Sequence, residues 1–182
     1  MSKQALAMAL SRRGIIQVDG YINQESAENF QRAMQIHRAR DYDKISVPEL
    51  KIEISSAGGS ARNGFRMLHQ IEMYEGITHG IVTSTAQSMA LVLLQGCTKR
   101  FALSTATFMV HYPDITTPLW MFDDPERLKK RLQISKSFQR KQESIFLRTT
   151  KLSIGELRLM MKRAEKFSAE DAKSMGFIDE II

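Results

Sequence analysis

The sequence predicts an α/β protein built on a mainly parallel sheet. Strand-like runs alternate with segments of helical spacing along the chain. Two of the runs, Lys51–Ser55 and Ile77–Thr83, lead through loops of small residues straight into helices. A strand that hands over to a helix returns by a crossover, which sets the next strand parallel, with a right-handed connection. No repeat, low-complexity tract or Pro/Gly-rich linker interrupts the 182 residues, so one domain spanning residues 1–182 with a sizeable core is expected.

Each element follows in order. MSKQALAMALSRRG reads as a short amphipathic helix. Its early lysine, brief apolar stretch and following arginines do not suit a secretory signal. Gly14–Asp19 reads as a short strand. Gln24–Arg40 reads as a helix with Ala27, Phe30 and Met34 on one face. Lys51–Ser55 alternates polar and apolar residues, as a strand does. A helix with Phe65, Leu68 and Ile71 at helical spacing follows. Ile77–Thr83 is the next strand, and Ser88–Leu94 is an apolar helix. Arg100–Leu103 and Thr107–Val110 read as two further strands.

Asp123-Asp124-Pro125-Glu126 starts a helix, with acids at the positive dipole end and proline in the first turn. That helix should run to Arg148, with Leu128, Leu132, Ser135, Phe138 and Ile145 near one face. Ser153-Ile154-Gly155-Glu156 is a capping box that opens another helix. Ser168 caps a last short helix that stops at Gly176, and Phe177–Ile181 closes the chain as a strand.

Composition narrows the function classes. The chain is 43% apolar and 25% charged, as in an ordinary globular protein. Its longest apolar run, Met89–Leu94, is far too short to span a bilayer, and no membrane association is expected. Cys97 is the one cysteine, which excludes an internal disulfide and a cysteine-rich zinc site and points to a reducing, cytoplasmic setting. The net charge of +6 reads as a solvated basic face, and no nucleic-acid partner is expected from it.

Three loops carry the candidate chemistry. Ser56-Ala57-Gly58-Gly59 follows the second strand, where two glycines let the backbone turn sharply and bring N–H groups close to a ligand. Ser84–Met89 follows the third and puts Ser88 at a helix start, where free N–H groups and the dipole favour a developing oxyanion. His111 ends an apolar strand ahead of Tyr112-Pro113. A serine hydroxyl needs a base, and a histidine at a strand end beside it is a suitable one. By themselves these features are also those of a helix cap, a turn and a structural histidine. His37, His69 and His79 show no ligand pattern and read as structural or surface residues. No HExxH, phosphate-loop or paired-cysteine motif is present.

Four motifs in order resemble the Clp protease proteolytic-subunit family (ClpP). ISSAGGSARNG is similar to its glycine-rich oxyanion segment, and STAQSMALVLLQG to its nucleophile segment. KRFALSTATFMVHYP resembles the segment ending in the catalytic histidine, and FSAEDAKSMGFIDEI the family's carboxy-terminal pattern. The likeness runs from Gly14 to Ile182. It implies the ClpP/crotonase-like spiral of βαβ units with a protruding handle helix, here about residues 113–148. It implies a serine endopeptidase with Ser88 as nucleophile, His111 as general base and the Gly59 and Met89 N–H groups as oxyanion hole. Extended substrate would pair with backbone near Ser60 and Ala61 and with the strand beyond His111. The family needs no metal or organic cofactor. It forms heptameric rings stacked in pairs as a 14-mer. The peptidase core is itself independent of ATP and is fed unfolded protein by an ATP-dependent AAA+ unfoldase.

Three departures bear on these expectations. Ala164 falls where the family has the third triad member, so Glu165 beside it or Asp114 after the histidine would orient His111. The first strand opens at Gly14, which leaves little length for the axial loop that docks the unfoldase. The stretch Asp114–Trp120, with Pro118, replaces a glycine-rich segment. Trp120 and Phe122 there either serve an interface or fill the core. Two other readings stay open: a catalytically weak or inactive ring subunit, and a crotonase-type acyl-CoA enzyme, which the order of Ser88 and His111 disfavours.

Overall fold

A computed structural model describes residues 3–39, 48–114 and 116–182. The order is α1 (Lys3–Ser11), β1 (Ile15–Ile22), α2 (Gln24–Arg38), β2 (Leu50–Gly59), α3 (Ala61–Glu72), β3 (Thr78–Gln87) and α4 (Met89–Leu94). Then come β4 (Lys99–Ala102), β5 (Thr107–Met109), a 3-10 helix (Leu119–Asp123), α5 (Pro125–Thr149), α6 (Ile154–Arg163), β6 (Lys166–Phe167), α7 (Ala169–Met175) and β7 (Glu180–Ile181). The expected α/β architecture is present. Strands β1-β2-β3-β4-β7 are parallel neighbours. Arg40, the expected end of α2, and Ile115 in the handle stretch lie outside the described residues.

The strand β3 is long enough to take two neighbours in succession. Its first half pairs with β4 and its last residues, Thr85–Gln87, pair with β5. This forking carries β5, and with it His111, to the carboxyl ends of β2 and β3. Loops at that edge are where open α/β sheets bind ligands. The strand β5 then pairs antiparallel with β6, matching Phe108 to Phe167 and Met109 to Lys166. The sequence predicts neither this pairing nor the 3-10 helix: a two-residue strand is too short to show a period.

The core lies between the sheet and its helices. Ile52, Ile54 and Val82 on one sheet face meet Leu68, Ile71 and the wholly buried helix α4. The alternate strand residues Gln17, Lys51, Glu53, His79, Ile81 and Phe101 are only partly buried or exposed. His37 is buried and hydrogen-bonded to the Tyr74 hydroxyl at 2.8 Å, which fits its structural reading. Capping boxes open α6 at Ser153 and α7 at Ser168, and Gly176 ends α7 in the left-handed region, as the sequence predicts.

Helix α5 is about 37 Å long at the standard rise per residue. Its buried residues, Gln142, Glu143, Ile145 and Phe146, all fall in its last third. Of the face predicted for it, Ile145 is buried and Phe138 packs partly against the core. Leu132 is exposed and Leu128 lies in an open surface groove. Trp120 and Phe122 are 54% and 59% exposed, so in the chain by itself they do not fill the core; Met121 between them is the buried one.

Candidate active site

Ser88 occupies the N-cap position of α4, but its side chain makes no capping hydrogen bond. Its Oγ instead lies 2.7 Å from His111 Nε2. The backbone at Ser88 has φ 53° and ψ −121°, one of two positive φ values at non-glycine residues among those described. Such a conformation costs on the order of 1–3 kcal/mol and persists only where its surroundings hold it. Here the Ser88 N–H donates to Met109 O at 2.8 Å, and the Ser88 carbonyl accepts from Leu91 and Val92. The sharp turn from β3 into α4 thus lifts the hydroxyl clear of the helix, as in nucleophile elbows.

The two glycines take different roles. Gly58, at φ +90°, packs against the turn: a Cβ there would come within 2.6 Å of Gln87 O, 2.8 Å of Ser88 Cβ and 2.9 Å of Met89 N. Only glycine fits that approach. Ser56 fixes it from below, since its Oγ accepts from Gly58 N–H at 3.1 Å and donates to Gly20 O at 2.5 Å. Gly59, at φ +147°, abuts Ile22. Ser60 donates its N–H to Ile22 O, and alternate residues of a strand address opposite neighbours. The Gly59 N–H is therefore turned from β1 toward the side where Gly58 meets Ser88. Met89 opens α4, so its N–H has no intrahelical acceptor.

Ser60 and Ala61 sit at the start of α3. The Ser60 N–H goes to Ile22 and its carbonyl accepts from Gly64 at 2.9 Å. Its hydroxyl caps Asn63. The main-chain groups of Ser60 are thus engaged within the chain, whereas the first-turn N–H of Ala61 has no intrahelical acceptor. The chain beyond His111 is not a strand up to Asp114.

The candidates for a third member stand apart. Asp114 Oδ2 is 3.6 Å from His111 Nδ1, beyond hydrogen-bond length, and its side chain is 89% exposed. Glu165 meets the histidine segment through its backbone, its carbonyl accepting from Val110 N–H at 3.2 Å. Its carboxylate forms no hydrogen bond or ion pair among the described residues. Ala164 is the left-handed cap of α6.

The sequence reading names the two glycines of the Ser56–Gly59 loop but does not single out two residues that shape the site, Ser56 and Gln142. Gln142 Nε2 donates to His111 O at 3.4 Å. Beside it, the buried Glu143 takes a bidentate pair of hydrogen bonds from Arg158, both at 3.0 Å. Those bonds hold the Glu143 carboxyl below the ordinary glutamate range and raise the Arg158 guanidinium. The chemistry of serine, glycine and histidine is visible in a motif, whereas the role of a glutamine in a long polar helix is not.

Comparison with known proteins agrees with this geometry. The Clp protease family profile matches residues 2–182. The chain is 28% identical over 170 residues to ATP-dependent Clp protease proteolytic subunit 2 of Bacillus licheniformis, covering 92% of this chain and 85% of that one. It is 26% identical over 175 residues to ATP-dependent Clp protease proteolytic subunit 3 of Frankia casuarinae, covering 95% of this chain and 78% of that one. With the match running over virtually all of its length, the chain belongs to the Clp protease family.

Proposed function

We propose that this protein is a serine-type endopeptidase, with Ser88 as nucleophile and His111 as general base. The carrying observation is the 2.7 Å contact between Ser88 Oγ and His111 Nε2 at a strained strand-to-helix turn. With the proton on Nδ1, Nε2 accepts the serine proton during attack on the scissile carbonyl and later returns it to the leaving amine. The N–H groups of Gly59 and Met89 stabilise the oxyanion. Their orientation, from the β2 register and the α4 terminus, supports that role. Ser88→Ala should abolish both peptide hydrolysis and fluorophosphonate labelling; labelling that survives in the variant sinks the assignment.

The same reading makes the active form a homo-oligomer of heptameric rings stacked as a 14-mer, with α5 as the handle between rings. Parallel sheets are almost always covered on both faces. Here the residues of one face, Gln17, Lys51, His79 and Phe101, are only partly buried or exposed, and α5 stands clear of the core through Ser137. Both features suit burial against further copies. Unfolded protein delivered by an AAA+ unfoldase is the substrate in this reading. The relatives' names describe those proteins as subunits of an ATP-dependent protease.

A second reading, a weak or inactive ring subunit, is favoured by Ala164 and by the 3.6 Å gap between Asp114 and His111. Clear peptidase turnover by the pure homo-oligomer excludes it.

A further inference from the structure

Among the described residues His111 has no carboxylate within hydrogen-bonding range of Nδ1, yet its Nε2 sits at 2.7 Å from Ser88 Oγ. The ring's aim must come from elsewhere. The segment around it is tied down by main-chain and side-chain bonds. Met109 O accepts from Ser88 N–H at 2.8 Å, and Val110 N–H donates to Glu165 O at 3.2 Å. His111 O accepts from Gln142 Nε2, and the Tyr112 hydroxyl donates to Arg158 O at 3.4 Å.

We infer that Gln142 is a positioning residue for His111, its buried side-chain amide anchoring the base through the His111 carbonyl where a carboxylate at Nδ1 is lacking. This rests on the Ser88–His111 reading above. Gln142 is 6% exposed, and the bond to His111 is the one hydrogen bond its side chain makes among the described residues. A primary amide at that depth is costly without a partner, and an apolar residue would fill the same space at no such cost. The helix turn that carries it is itself fixed, because Glu143 is clamped by Arg158. Arg158 in turn offers its carbonyl to Tyr112. The two residues after Val110 are thus tied to α5 and α6 together. Anchoring the carbonyl sets where the imidazole starts, and so how far Nε2 stands from the hydroxyl. A displacement of about 1 Å at such a pair can cost on the order of 10²-fold in rate.

The test uses the whole protein with Gln142→Met and Gln142→Glu, both close to the native side chain in size, the first without any donor and the second without the amide donor. The expected result is a kcat ten- to a hundredfold lower, on the same geometric scale. KM should stay within about twofold, since substrate binding groups are untouched. Fluorophosphonate should label the same fraction of Ser88, more slowly. Full kcat in either folded variant overturns the inference. So does a loss of turnover that merely tracks the fraction labelled, which is the mark of a folding defect. If Gln142→Met does not fold, Gln142→Glu decides by the same criteria. Ser88→Ala and His111→Ala run alongside: labelling retained in both means that the nucleophile–base reading has failed. Labelling lost in both, with a wild-type Gln142→Met, removes only the role of Gln142.

Discussion

Ala164 closes α6 at φ 49° and ψ 49°, one of two described non-glycine residues with positive φ. The antiparallel register of β5 and β6 pairs Phe108 with Phe167 and Met109 with Lys166. One residue further, Val110 meets Glu165, where the 3.2 Å bond is found; His111 and Ala164 come next in that order, outside the strands, with Ala164 in the left-handed region. Position 164, where the family resemblance has its acid, is therefore the place to test a third member. Ala164→Asp should raise kcat for peptide hydrolysis by about tenfold or more, within the roughly 10⁴-fold scale of triad acids. Aspartate tolerates the left-handed region at least as well as alanine, so Tm should hold. An unchanged kcat in the folded variant would mean that the site works without an acid. Ser88 and His111 were legible in the sequence because each ends a clear strand. The choice between Glu165 and Asp114 was not, because it depends on a register fixed by a strand of two residues.

At the scale of elements, helices announced themselves and short strands did not. Ser153, Ser168 and Asp124 all cap as their local patterns predict, since a cap is a matter of three neighbouring residues. The contact of α5 with the histidine loop joins residues 31 apart in sequence and leaves no local trace. The Glu143–Arg158 clamp secures that contact, and its sign with pH can be worked out. Arg158 depresses the Glu143 carboxyl below its ordinary value. The stabilisation is present above the ordinary glutamate range and fades as pH falls through the lower folded value. Wild type should therefore exceed Glu143→Gln in urea resistance at neutral pH, with the gap closing in strong acid. A gap of constant size would show that the ionised pair is not what stabilises α5 on α6.

Across the whole molecule, the fold class was readable because strand and helix periods alternate cleanly. The partly exposed sheet face was less so: Lys51 and Glu53 alternate with Ile52 and Ile54 as they would at any solvated face. Beneath that sheet, Cys97 packs where Gly80 leaves room, since a Cβ at Gly80 would stand 2.8 Å from its Sγ. Burial pushes the Cys97 thiol up to about 12, with Arg100 and Thr78 opposing the shift in part. The folded state thus disfavours the thiolate, and stability should decline as pH rises from the ordinary thiol range toward about 12. The slope approaches 1.4 kcal/mol per pH unit at most. Urea midpoints of wild type and Cys97→Ala should converge as pH rises, and parallel curves would discard the assignment.

The turn at Ser88 has a consequence beyond geometry. Threonine offers the same hydroxyl chemistry as serine. Its β-branch, however, makes a positive φ a genuine outlier, and Ser88 stands at φ 53°. Cysteine, unbranched at Cβ, has no such barrier. Substitutions at position 88 are therefore filtered by a torsion angle before reactivity is ever tested.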